Sequence, residues 1–174
     1  MLLRLFFAIP IPEKVKAELL GLFPAKKFPG MRFTPEENLH ITAHFLGAVE
    51  EEKIPEVIQK AKKVSEHTST FSLMLDSFKT IWEGKKPVMI WAQFHDNLSY
   101  ENLCFRLRES FPTDENRKPT PHITLARIRQ LKQVPFELPS AKKISVLVEQ
   151  VELWQSFTKA EGAEYKCLHT WKLK

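Results

Sequence analysis

The chain has 174 residues, 43% of them apolar and 27% charged, enough to bury a core in one compact domain or two small lobes. No apolar run reaches the roughly 18 residues of a membrane span, and the opening MLLRLFFAIPIP is broken by Arg4 and lacks a small-residue cleavage site, so it is expected to be the first strand of a soluble protein. Lysine and arginine exceed aspartate and glutamate by 26 to 21, a net charge of +5 that suits an anionic partner but equally suits plain solubility.

In chain order, RLFFAIPI is a short, Phe-rich apolar run closed by prolines, as in a buried strand. Val15, Leu19, Leu22 and Phe23 then recur at helical spacing behind Pro12, which predicts a helix over roughly 12 to 23. NLHITAHFLG mixes β-branched and aromatic residues and stops at Gly47, a second strand. Ile54, Val57, Ile58, Ala61 and Val64 predict another helix, followed by a strand at TFSLMLDSF. The first order then returns: PVMIWAQF as a strand, Tyr100, Leu103, Cys104, Leu107 and Phe111 as a helix, TPHITLARI as a strand. Late strands are expected at KISVLVEQVELW and EYKCLHTWKL. Two or three helices against seven or eight strands make an α+β protein with largely antiparallel sheets.

The recurrence is an internal repeat. Phe6 to His40 is 34 residues, Ile90 to His122 is 32, and His40 to His122 is 82, close to half the chain. We therefore expect a single domain over residues 1–174 with two duplicated strand-helix-strand lobes, a pseudo-twofold, and motif strands around 39–46 and 121–128. Two cysteines, Cys104 and Cys167, have no CxxC spacing, so neither a disulfide framework nor a zinc ribbon is indicated, and a reducing cytoplasm is expected.

His40 and His44 stand four residues apart, which is metal-ligand spacing on a helix. On a strand they are about 13 Å apart, too far for one ordinary ion. The strand reading gains weight from His40-Ile41-Thr42 recurring as His122-Ile123-Thr124 at a matching place in the second unit. Composition predicts such a triplet on the order of 0.02 times, so two copies are a poor coincidence. On a strand, residues i and i+2 share a face, so each copy presents an imidazole beside a hydroxyl while the isoleucine faces the core. If the lobes pack about an approximate twofold, two imidazoles and two hydroxyls confront each other across a cleft. That set suits phosphoryl chemistry: a neutral imidazole takes a proton from attacking water, a protonated one gives a proton to the leaving oxygen, and the hydroxyls hold phosphate oxygens. Opening a strained cyclic phosphodiester fits it especially well.

RLFFAIPIP, ENLHITAHFLGAV, KPTPHITLARIR and YKCLHTWKL together resemble the two-histidine phosphoesterases, specifically the RNA 2′,3′-cyclic phosphodiesterases also named 2′-5′ RNA ligases, from Arg4 to about Leu173. The resemblance implies a bilobal α+β fold with two mainly antiparallel sheets around a central cleft, and hydrolysis of RNA 2′,3′-cyclic phosphate ends to 2′-phosphate with no metal and no cofactor. It makes His40 similar to the histidine near the 3′-oxygen leaving group and His122 to the one activating water, with the roles open to exchange. Thr42 and Thr124 resemble the phosphate-binding hydroxyls, Phe45 an aromatic that stacks on the terminal base, and Arg127 an arginine near the phosphate. The implied partner is RNA, with no membrane or protein partner and a monomeric chain. A small cyclic nucleotide, an ADP-ribose cyclic phosphate, a 2′-5′ oligonucleotide, or binding without turnover are the competing readings. No G-x-x-x-x-G-K-[ST] loop is present to support a nucleotide-triphosphate ligase.

Strict alternation points Phe45 and Arg127, each five residues after its histidine, away from the cleft, unless a bulge after the threonine turns them back. His44 replaces the basic residue common in the family and reads as a solvated strand-end histidine. His67, His95 and His169 are expected at the surface or in packing. Lys85, Lys86, Arg117 and Lys118 could guide an RNA strand, though a charged turn is usually just solvated. Trp82, Trp91, Trp154 and Trp171 read as core.

Overall fold

The computed structural model describes residues 1–23, 29–114, 117–129, 131, 134, 136–159 and 162–174. In chain order the elements are β1 (Leu2–Pro10), α1 (Glu13–Gly21), β2 (Met31–Phe33), β3 (His40–Glu50), α2 (Ile54–Glu66), β4 (Phe71–Glu83), β5 (Lys86–Phe94), α3 (Leu98–Ser110), β6 (His122–Ile128), β7 (Ser145–Val148), β8 (Gln150–Lys159) and β9 (Gly162–Lys172). The fold is α+β.

Each helix starts where the sequence provides a terminus. Pro12 caps α1, Pro55 sits in the first turn of α2, and the Asn97 side chain accepts the Tyr100 backbone N–H at 3.0 Å to cap α3. Each helix buries one face: Val15 and Leu19 from α1, Val57, Ala61 and Val64 from α2, Leu103, Cys104 and Leu107 from α3. These side chains join Ile41, Ile123 and Leu125 in the main core. Among the described residues no helix is long and apolar enough to cross a membrane.

The strands run in the order β7-β4-β5-β6-β3-β1-β8-β9, every pairing antiparallel, with β2 added on β6. Two halves, β7-β4-β5-β6 and β3-β1-β8-β9, meet at one residue pair, Ile41 opposite Ile123. Beyond it β6 exchanges β3 for β2, pairing Phe33 with Ala126 and Arg32 with Arg127. The two expected sheets are thus joined by a single-pair seam, and they part on either side of it.

Two sequence expectations need correction. KISVLVEQVELW is two strands: β7 pairs with β4 and β8 with β1, with only Glu149 between them. One extended run therefore leaves the sheet at one end and re-enters it in the other half, which is possible only if the sheet curls strongly. Strand β2 was not foreseen; three residues give too little pattern to read, and β6 recruits them through its edge hydrogen bonds.

Candidate active site

Ile41 and Ile123 are fully buried on the helix side, so the seam places His40, Thr42, His122 and Thr124 together on the other face, all partly accessible. Antiparallel register about the seam sets His40 across from Thr124 and Thr42 across from His122. The four line one cavity of about 480 Å³, and Phe45 and Arg127 line it too.

Phe45 and Arg127 reach it by matching bulges. In β3, Thr42 pairs with Ala8 and His44 with Phe7, which leaves Ala43 as the extra residue. In β6, Thr124 pairs with Trp91 and Ala126 with Ile90, which leaves Leu125. Each bulge puts two consecutive side chains on the core side, so the following residue, Phe45 or Arg127, returns to the cleft. Phe45 is 53% exposed, on the rim. Each bulge is held by a hydroxyl from elsewhere in the chain: Tyr100 of α3 donates to the Thr42 carbonyl at 2.8 Å and Thr34, just after β2, to the Thr124 carbonyl at 2.7 Å.

The same bulge overturns the reading of His44. It is 2% exposed, on the core face rather than solvated beside His40, and its Nε2–H donates to the Phe111 carbonyl at 2.7 Å. His40 and His44 therefore point to opposite sides of β3. Among the described residues no three His, Cys, Asp or Glu side chains gather as a metal site.

Both motif histidines are fixed in the same tautomer. A carbonyl can only accept, so His40 Nδ1–H donates to the Asn38 carbonyl at 2.7 Å and His122 Nδ1–H to the Thr120 carbonyl at 2.8 Å. Each bond goes to the residue two positions earlier and leaves Nε2 for chemistry. The Thr42 hydroxyl donates to His40 Nε2 at 3.1 Å. Burial brings the His40 pKa down to about 4, with further lowering from the charges of His122 and Arg127, against a smaller raising effect of the Asn38 bond. Burial likewise lowers that of His122, opposed by the Thr120 bond.

Aromatic neighbours that the sequence reading did not assign to the site surround the two histidines. The His40 ring sits among Phe6, Trp154 and Tyr165 with centroids 5.1, 5.1 and 5.2 Å away. Trp91, expected in the core, instead lines the cleft and stacks on His122 at 3.6 Å and 15°. Trp82, also expected in the core, is 52% exposed. Two further arginines, Arg4 and Arg32, line the cavity with Arg127, and no carboxylate does among the described residues. The parity of Arg4 with Phe6 along β1 was a usable signal; Arg32 had none, because its strand was not foreseen. Lys85, Lys86, Arg117 and Lys118 stand outside the cavity lining, with Lys118 paired to Asp96 and Glu101. His67 and His95 are exposed and His169 partly so, as expected.

Comparison with known proteins agrees with this fold. The family described as LigT like phosphoesterase matches residues 9–91. The chain is 29% identical to the RNA 2′,3′-cyclic phosphodiesterase of Methanocaldococcus jannaschii over 97% of this chain and 100% of that one. It is 28% identical to the protein of that name from Escherichia coli, over 98% and 96%. A crystal structure from Thermus thermophilus superposes with a TM-score of 0.83 at 27% identity, covering 98% of this chain and 97% of that one. Escherichia coli LigT complexed with 3′-AMP superposes with a TM-score of 0.80 at 26% identity, covering 99% of each.

Proposed function

We propose that this chain, which is similar to the LigT-like phosphoesterases, hydrolyses RNA 2′,3′-cyclic phosphate ends to 2′-phosphates by acid-base catalysis between His40 and His122. The observation that carries this reading is the pair of imidazoles, each with Nδ1 tied to a backbone carbonyl and both lining one cavity with the two motif threonines.

In the proposed step, one neutral Nε2 takes a proton from water as its oxygen forms a bond to phosphorus. The bond from phosphorus to the 3′-oxygen breaks on the opposite side, and the other imidazole, protonated, delivers its proton to that oxygen. The product carries a 2′-phosphate and a 3′-hydroxyl. The resemblance sets His122 beside the water and His40 beside the 3′-oxygen, with the two roles open to exchange. Thr42 and Thr124 donate to the non-bridging oxygens; the Thr42 hydroxyl turns from His40 to do so. Arg127 adds charge, and Phe45 offers a sequence-tolerant stacking face for the terminal base. Replacing water by the 5′-hydroxyl of a second strand in the same ring-opening step, with the 3′-oxygen again leaving, gives 2′-5′ ligation. We place the protein in the cytoplasm as a monomer.

A short RNA with a 2′,3′-cyclic end, incubated in EDTA, is expected to become the 2′-phosphate. His40→Ala and His122→Ala should each slow this by about 10²- to 10⁴-fold. Unchanged RNA with the wild-type chain, or full activity in both variants, would overturn the proposal. A small cyclic nucleotide, an ADP-ribose cyclic phosphate and a 2′-5′ oligonucleotide in the same panel rank the substrates, and binding of the RNA end without turnover would make the chain a binding module.

A further inference from the structure

Arg32 and Arg127 are direct cross-strand partners, both exposed on the cleft side of β2 and β6. Like charges in that position repel. Among the described residues, neither they nor Arg4 pair with a carboxylate. The two guanidiniums go different ways. Arg127 faces the histidines closely enough for its charge to act on His40. Arg32 reaches across to the other half of the sheet, where its guanidinium lies against Gly162 at the start of β9. Gly162 has φ +130°, and a Cβ there would collide with the Arg32 guanidinium. The same hairpin is tied down next door, where the Asn38 side-chain amide donates to the Ala163 carbonyl at 2.9 Å. The glycine thus makes a backbone shelf on which the arginine rests, at the mouth of the cleft.

We propose that Arg32, seated on Gly162, binds a second phosphate of the substrate, neighbouring the cyclic phosphate that reacts. Arg127 lies three residues beyond Thr124, on the order of 10 Å of strand, and Arg32 stands directly across from it. With Arg127 turned toward the histidines and Arg32 turned outward, one reacting phosphate cannot occupy both. A second anion between or beyond them relieves the repulsion that the pairing imposes. In an RNA that group is the phosphodiester on the 5′ side of the terminal nucleoside; in a nucleotide it is a 5′-phosphate. This assignment rests on the cyclic phosphodiesterase reading above.

The test compares three substrates with one terminal nucleoside: the 2′,3′-cyclic monophosphate alone, the same group with a 5′-phosphate, and a dinucleotide with a cyclic end. The wild-type chain should show higher kcat/KM for both two-phosphate substrates. Arg32→Gln should reduce that preference about tenfold, the scale of one charge-assisted contact. Gly162→Ala, which displaces the arginine without removing it, should reduce it in the same direction. A gain with the dinucleotide alone identifies an internal phosphodiester as the preferred group; a gain with both identifies the phosphate itself. No preference in the wild type, or Arg32→Gln slowing all three equally, overturns the assignment. Activity of the wild type on none of them would instead refute the underlying cyclic phosphodiesterase reading.

Discussion

Protonation of His40 is opposed first by burial and then by the charges of His122 and Arg127, while His122 is held down by burial alone. Both folded values lie below the ordinary 6.5, so in the free protein the state with one proton on the pair is dominant only on the acid side of that value. Because kcat/KM reports the free enzyme, its bell should be centred between about pH 4 and 6.5. A bound phosphodiester is an anion and favours the imidazolium, so the kcat profile should lie at higher pH than the kcat/KM profile. Rates over pH 4 to 9 with a cyclic-ended substrate check this, and a kcat/KM maximum above pH 7 would contradict it. The histidines and threonines were legible because a repeated triplet at matching places is hard to obtain by chance. His44 was misread because face assignment by alternation fails beyond an inserted residue, and Ala43 gives no sign that it is one.

At the scale of elements, α3 belongs to the second strand-helix-strand unit but holds the motif strand of the first. Tyr100 donates its hydroxyl to the Thr42 carbonyl, and the Phe111 carbonyl at the end of α3 accepts from His44, so the two bonds bracket the β3 bulge. The bulge in turn aims Thr42 and Phe45. Tyr100→Phe and His44→Leu should each cost about 1–3 kcal/mol in urea unfolding, since each takes a donor from a carbonyl in the interior. Both should lower kcat/KM as well. Because the bonds share one bulge, a double-mutant cycle should show coupling above about 0.5 kcal/mol. Additive losses with unchanged kinetics would mean that the bonds stabilise the helix without shaping the site. Helices α2 and α3 were readable from their apolar periodicity, and β1, β3, β5 and β6 from β-branched and aromatic runs. The break at Glu149 was not, because β7 and β8 are both apolar extended chain and only their different partners, β4 and β1, separate them.

Charge is where the whole molecule bears on the reaction. The net +5 alone said little, since many of the lysines lie in helix-surface and turn pairs such as Lys60 with Glu56 and Lys118 with Asp96. The cleft is different: Arg4, Arg32 and Arg127 stand there with two histidines, and no described carboxylate lines it. Arginines drawn from β1, β2 and β6 converge only because the sheet halves part at the seam, so sequence clustering could not have revealed the patch. Such a patch attracts a phosphate chain and releases its counterions, which makes binding depend on salt. For single strands the slope of log affinity on log salt is about −0.7 per neutralised phosphate. With two phosphates engaged, log(kcat/KM) should fall with log salt more steeply for the cyclic-ended dinucleotide than for the nucleoside cyclic monophosphate, both less steeply than for a long strand because short nucleotides condense few counterions. Arg32→Gln should bring the dinucleotide slope down toward the mononucleotide value. Equal slopes for the two substrates would mean that only the reacting phosphate is neutralised, and the outer arginines would then serve to steer the strand rather than to hold it.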